Sequence, residues 1–312
     1  MKILLTSTSF QDTPGSHHDL LDSYNFEIVK MRGPLKEEVI LDVIAGFDGV
    51  ICGDDEITRK VIEKGAKSKL KILSKYGIGL DKVDLDAAKE FNVPVANTPG
   101  VNNTTVAEHV FALMLCYSKN LIKENELIQS QSWTKLIGVE LFQKTLGIIG
   151  LGNVGKEVAI RASAFGMKIV AFDKFIDLDF VKKYEIEVLE TIEELISKVD
   201  FLSLNASLNK DTKGILNSEN ITKFKKGVVI INTARAGLVE NDAILLGLEK
   251  NIIKAYLTDV LEEEPMIPNH PFLSNENILI TPHIGSRTYE NVVRQGTWAI
   301  KNLVNHLKTE NG

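Results

Sequence analysis

The feature that most constrains this chain is one stretch, KTLGIIGLGNVGKEVAIRASAFGMKIVAFD, over residues 144–173. Gly150, Gly152 and Gly155 form G-x-G-x-x-G. A bare version of that pattern arises by chance. Here it follows an apolar run, opens an amphipathic segment and leads to a second apolar run ending at Asp173. That context predicts a strand, a tight turn, a helix and a parallel strand. Gly150 permits the turn, Gly152 lets a pyrophosphate approach the backbone, and Gly155 lets the helix pack on its strand. Asn153 and Val154 then lie at a helix N-terminus, where free N–H groups and the positive dipole end favour phosphate. Asp173, eighteen residues after Gly155, is placed to accept hydrogen bonds from adenosine-ribose hydroxyls. A kinase glycine loop fits worse, because no H-R-D or D-F-G follows.

The rest of the chain repeats the same alternation. Strands are expected at 2–6, 26–30, 49–52, 71–75 and 94–97, with amphipathic segments at 36–44, 58–66 and 85–90 between them. After residue 144, strands are expected at 145–150, 168–173, 201–205, 228–233, 255–260 and 277–281. Helices are expected around 153–165, 192–198, 241–250 and 289–307. Between the two halves, 102–130 reads as one long apolar helix crossing from one domain to the next and on into a partner subunit. The pattern implies α/β architecture with two doubly wound parallel-sheet domains. One domain comprises 1–98 plus 287–312, and the other comprises 99–286 with the linker helix.

Charge and cysteine content narrow the partners. A formal net charge of -6 lacks the basic footprint that nucleic acid demands, so none is expected. Cys52 and Cys116 sit in apolar runs and read as reduced, buried thiols of a cytoplasmic protein. Two cysteines with six histidines, spread along the chain, give no metal-ligand spacing, so no metal is expected. The N-terminal MKILLTST is too short an apolar core for a signal peptide and reads as a strand. No apolar run reaches membrane-span length, so no membrane partner is expected.

Three late residues stand out: Arg235 in INTARAG, Glu264 in DVLEEEP and His283 in TPHIGS. Arg235 and His283 are expected at the C-terminal ends of strands, and Glu264 in the loop after another. Ligands of doubly wound sheets bind outside those ends. An Arg grips a carboxylate through two parallel hydrogen bonds. A His takes a hydroxyl proton as hydride leaves and returns it in reduction. A carboxylate beside the His orients it and favours its charged form. The set suits hydride exchange with a small 2-hydroxy acid.

With SKYGIGLDKVDL, VANTPGVNNTTVAEHVFALML, LGIIGLGNVG, INTARAG, DVLEEEP and TPHIGS in hand, the chain resembles the D-isomer-specific 2-hydroxyacid dehydrogenases over nearly its whole length. Within them it is most like the catalytic part of D-3-phosphoglycerate dehydrogenases. The resemblance implies a flavodoxin-like substrate domain, a Rossmann dinucleotide-binding domain, NAD as cofactor, and a cytoplasmic homodimer serving serine biosynthesis. It implies that Arg235 binds substrate and that Glu264 and His283 form the acid–base pair. Asp259 would hold the nicotinamide carboxamide. Asn205, Thr233, Ala234, His283 and Gly285 would complete the cofactor contacts. Backbone N–H groups of Tyr76, Gly77, Ile78 and Gly79 would bind the substrate carboxylate, which suits a glycine-bearing nest, with Asn102 and Lys75 nearby. Lys75 is the expected phosphate contact, opposed by the fields of Asp54 and Asp55.

Two departures stand out. Asn205-Ala206-Ser207 replaces the family's His-x-Pro, and Gly53-Asp54-Asp55 stands where animal phosphoglycerate dehydrogenases tend to carry an Arg. The C-terminal regulatory extension of many such enzymes is also missing, so feedback by serine is not expected. Lys75 still makes 3-phosphoglycerate the expected acid, modestly ahead of unphosphorylated glycerate-type acids. The alternatives are a glyoxylate/hydroxypyruvate or D-lactate-type reductase, and an NAD-sensing corepressor-like binding protein.

Overall fold

A computed structural model describes residues 1–309. The chain divides into two compact units, 1–102 with 287 onward, and 103–286. The first boundary falls after Asn102, four residues later than the sequence reading placed it. Residues 310–312, assigned by that reading to the first domain, lie outside the described residues.

The first unit is a five-stranded parallel sheet. Its strands are β1 (Lys2–Leu5), β2 (Glu27–Lys30), β3 (Gly49–Cys52), β4 (Ile72–Lys75) and β5 (Val95–Ala96), in the order β2-β1-β3-β4-β5. Alternation sorts the side chains between two faces. Leu4, Val50, Cys52 and Leu73 pack with Ile40, Val61 and Ile62 on one side. Ile3, Leu5, Ile51 and Ile72 meet Ala299, Ile300, Leu303 and Leu307 on the other. Those last four residues form the buried stripe of the Tyr289–Thr309 helix, so the chain's end completes the domain its beginning started.

Two short helices, Thr8–Asp12 and Ser16–Asp22, were not expected. Their brevity, and the Pro14-Gly15 pair between them, hide any helical period.

The second unit is a seven-stranded parallel sheet. Its strands are β6 (Thr145–Ile149), β7 (Lys168–Phe172), β8 (Glu187–Val188), β9 (Phe201–Leu204), β10 (Val228–Asn232), β11 (Ile253–Thr258) and β12 (Ile278–Ile280). They run in the order β12-β11-β10-β9-β6-β7-β8. The order reverses between β6 and β9, a topological switch point, and the glycine turn leaves β6 there. The two-residue, exposed β8 escaped the sequence reading because a Glu-Val pair carries no period. Ile148 and Ile149 show the alternation, one packing into each core.

The single helix expected over 102–130 is two, Asn103–Ser118 and Leu121–Gln129, broken where Asn120 takes φ 53. The first is anchored by Ala107, Val110, Phe111 and Met114. The second buries none of its residues. Cys52 is sealed in the core and burial pushes its thiol up to about 12, whereas Cys116 is only partly buried, contrary to expectation. Among the described residues no helix is long and apolar enough to cross a membrane, and no group of three or more His, Cys, Asp or Glu is placed to hold a metal.

Candidate active site

The glycine turn has the steric demands its sequence implies. Gly150 adopts φ +94, and a Cβ there would lie 2.5 Å from the Ala206 nitrogen. A Cβ on Gly155 would lie 2.1 Å from the Gly150 carbonyl oxygen. A Cβ on Gly152 would meet nothing within 4 Å, so this glycine faces open space at the start of the Asn153–Ala164 helix. The first N–H groups of that helix, including those of Asn153 and Val154, have no intrahelical acceptors and suit an anion.

Asp173 does more than wait at the strand end. Its Oδ2 accepts the Leu151 amide at 2.6 Å and its Oδ1 accepts the Phe175 amide at 2.9 Å. It thereby ties the glycine turn to the loop after β7. Across the switch point, Asn205 donates through Nδ2 to Ser203 Oγ at 3.0 Å. Its buried Oδ1 and the buried Thr233 Oγ1 meet no protein partner. Buried polar atoms are rarely left unpaired. Together with the open face of Gly152 they fit a dinucleotide here, with Asn serving where the family's His-x-Pro would stand.

Arg235, Glu264 and His283 follow β10, β11 and β12, three adjacent parallel strands, so all three emerge at the same sheet end. Buried Asn232 shapes the first of these loops. Its Oδ1 accepts the Ala234 amide at 3.1 Å, and its Nδ2 donates to the Arg235 carbonyl at 2.9 Å and to Tyr256 Oη at 3.2 Å. The Ala234 carbonyl in turn accepts from an Arg235 guanidinium nitrogen at 2.7 Å. Both polar backbone atoms of Ala234 are thus engaged within the turn.

His283 and Glu264 meet directly, with Nδ1 to Oε2 at 2.7 Å, and the Leu261 amide steadies Oε1 at 2.9 Å. An ionised carboxylate only accepts, so in this contact Nδ1 carries the proton and Nε2 is the ring's acceptor nitrogen. About a third of each side chain is exposed (36% and 35%), enough for a ligand to reach the pair.

The turn carrying His283 is held from below by Asp259. His283 adopts φ 53, a conformation a non-glycine residue holds only when its surroundings enforce it. Buried Asp259 accepts from Thr281 Oγ1 at 2.5 Å, the Ile284 amide at 2.9 Å and the Gly285 amide at 2.7 Å. His109 Nε2 lies 3.0 Å from Thr281 Oγ1. Thr281 gives its proton to the carboxylate, so it accepts from His109. Burial works to raise the Asp259 carboxyl, but His109, Thr281 and the two amides outweigh it and hold it below the usual carboxylate range. A Cβ on Gly285 would meet Asp259 Oδ2 at 2.9 Å. Asp259 is thus a brace for the His283 loop, with both of its oxygens engaged by protein donors. Asn232, Tyr256, Thr281 and His109 were not singled out in the sequence. Asn232, Thr281 and His109 all lie inside the quoted motifs, which was the available signal.

The expected carboxylate contacts belong to the first unit. The Tyr76 amide is committed to the Cys52 carbonyl at 2.8 Å, and the Gly77 amide to Thr98 Oγ1 at 3.2 Å. That corrects half of the expected nest and leaves the Ile78 and Gly79 amides with no acceptor among the described residues. Asn102 keeps a buried Oδ1 without a partner. Lys75, expected as a phosphate contact, is buried. Its ammonium donates to the Gly53 carbonyl at 2.5 Å and to Asp54 Oδ1 at 2.6 Å.

Residues 111–285 match the family described as D-isomer specific 2-hydroxyacid dehydrogenase, NAD binding domain. The D-3-phosphoglycerate dehydrogenase of Methanocaldococcus jannaschii is 35% identical over 286 residues, covering 91% of this chain and 54% of that protein. The hydroxypyruvate reductase of Thermotoga maritima is 37% identical over 279 residues, covering 88% of this chain and 89% of that protein. Among solved structures, the TT0316 protein of Thermus thermophilus superimposes with a TM-score of 0.89 at 31% identity, over 99% of this chain and 97% of that one. The chain spans about half the length of the phosphoglycerate dehydrogenase it matches and most of the length of the reductase.

Proposed function

The chain belongs to the D-isomer-specific 2-hydroxyacid dehydrogenases and carries their NAD-binding domain, and from that premise we propose that it interconverts a small D-2-hydroxy acid and its 2-keto acid. The observation that carries this reading is the 2.7 Å His283–Glu264 contact on the loops after β11 and β12, beside the Arg235 loop after β10. The glycine turn would hold NAD, which when bound would accept the hydride in oxidation and, in its reduced form, return it in reduction. Arg235 pairs with the substrate carboxylate and draws electron density from the neighbouring C2 oxygen. In oxidation His283 Nε2 takes the C2 hydroxyl proton as the hydride leaves C2, and the resulting imidazolium is stabilised by Glu264. In reduction the proton returns to the same oxygen. Proton transfer of this kind contributes roughly 100- to 10,000-fold.

D-3-phosphoglycerate is the acid favoured by the names of several relatives, the M. jannaschii enzyme among them. A second reading, an unphosphorylated acid such as hydroxypyruvate or glyoxylate, is favoured by the committed Lys75 ammonium and by relatives of matching length. Loss of NADH absorbance across a panel of 2-keto acids tests the class. Turnover of none of them refutes it.

The working unit in this reading is a cytoplasmic homodimer. Its support is the 121–142 segment, where Leu121, Ile128, Trp133, Ile137 and Phe142 are all at least half exposed, Ile137 at 97%. Single large apolar residues are common on surfaces, but several on one short segment suit a partner-facing surface. Light scattering should give twice the chain mass, falling toward one in Ile137→Asp.

A further inference from the structure

Lys75 ends β4, and its side chain runs beneath the start of the substrate loop. A Cβ on Gly77 would lie 3.3 Å from Lys75 Cε and 3.9 Å from Nζ. The ammonium is nine-tenths buried and is held on its other side by the Gly53 carbonyl and the Asp54 carboxylate, both in the loop after β3. Lys75 therefore joins the ends of β3 and β4 beside Gly77, where the substrate loop begins. Asp54 is the exposed partner, with 59% of its side chain accessible. Asp55 turns inward instead, accepting the Leu35 amide at 2.7 Å and the Gly53 amide at 2.9 Å.

A cation already paired with a carboxylate presents no net charge, and the carboxylate is the member that faces solvent. A phosphate monoester near neutral pH carries close to two negative charges. Placed beside Asp54 it would meet like charge, and it could recruit Lys75 only by breaking a buried pair, which leaves a charge uncompensated. Of the nearby arginines, Arg32 is ion-paired with Asp12, and Arg287 donates to the Thr8 hydroxyl at 2.9 Å.

We propose that the Asp54–Lys75 pair positions the carboxylate-binding loop and selects a substrate that is uncharged beyond its 2-keto acid group, excluding phosphorylated acids. This rests on the dehydrogenase reading above. It makes Lys75 a positioning residue and Asp54 a specificity determinant.

The test compares kcat and KM of the full chain with NADH for hydroxypyruvate and 3-phosphohydroxypyruvate, in wild type, Asp54→Asn and Lys75→Met. Wild type should prefer the unphosphorylated acid by about tenfold or more in kcat/KM, since like-charge contact is costly. Asp54→Asn, an exposed and sterically matched change, should narrow that gap about tenfold by freeing the ammonium. Lys75→Met should raise KM for both acids in similar proportion, with a smaller effect on kcat. A wild-type preference for the phosphorylated acid, or an unchanged ratio in Asp54→Asn, overturns this inference while leaving the dehydrogenase reading standing. A phosphate preference lost in Arg287→Ala would also overturn it, by moving the phosphate to that residue. Turnover of neither acid overturns this inference, and the dehydrogenase reading falls with it only if no other 2-keto acid of the panel is reduced.

Discussion

Replacing Asp259 by Asn is the sharpest probe of how the catalytic loop is built. The carboxylate accepts from Thr281 Oγ1 and from the Ile284 and Gly285 amides, in a site 1% exposed. An amide of the same size keeps one acceptor oxygen and turns two donors toward groups that also donate. At least one buried N–H loses its partner, at about 1–3 kcal/mol, and the charge assistance on the remaining bonds goes as well. A loss of roughly 2–4 kcal/mol is expected for the second unit. For a domain of that size it corresponds to a fall of about 4–16 °C in its melting transition.

The kinetic effect should be larger than the thermal one suggests. His283 sits at φ 53 on the braced turn, and relaxing that conformation moves Nε2 from the hydroxyl it must reach. Misplacement of about 1 Å can cost on the order of 100-fold in rate. The pH dependence has a definite sign. A carboxyl held below its usual range in the folded state contributes stability above its unfolded pKa, and that stability is lost as pH falls through the folded value. Wild type should therefore lose stability below roughly pH 4, and Asp259→Asn should lack that component. Calorimetry between acid and neutral pH, with kcat at saturating NADH and keto acid, reads both. A variant within twofold of wild-type kcat and unchanged in melting would refute the brace.

The other predictions concern the two halves of the site. His283→Ala and Arg235→Ala should each lower kcat/KM by about 100-fold or more, whereas Glu264→Gln should mainly displace the pH–rate profile; near wild-type turnover in His283→Ala sinks the acid–base assignment. Gly155→Ala places a Cβ 2.1 Å from the Gly150 carbonyl oxygen and should weaken NADH binding by about tenfold or more, read by fluorescence titration; unchanged affinity would show that the turn does not carry the cofactor. Asp173 should favour NAD over NADP, because Lys174, the cation that could offset its charge, is paired with Asp211 at 2.6 Å; equal catalytic efficiency with both cofactors contradicts a ribose-facing carboxylate.

Local pattern was enough for the sheets. Short continuous apolar runs set eleven of the twelve strands within two residues at each end, because a strand buried on both faces announces itself by composition; β8 was missed. The glycine turn was legible because each glycine answers a steric demand within a few residues of itself. Arg235, Glu264 and His283 could be named because each follows a strand, and parallel strands deliver their ends to one place.

What lay beyond the sequence was every contact made at long range. Asn120 breaks the 102–130 helix by taking a left-handed backbone, which Asn tolerates but does not require. His109 lies 172 residues from Thr281 and Asp259 lies 26 from Gly285; no spacing rule links them. Lys75 is the clearest case. As a strand-end lysine it reads equally as a solvated charge or a phosphate ligand, and only the approach of Gly53 and Asp54 from the neighbouring strand turns it into a buried ion pair. Periodicity decides which face a residue joins, because that depends on its own chain direction. Which group meets its charge depends on a strand folded in from elsewhere, and this the tertiary structure alone decides.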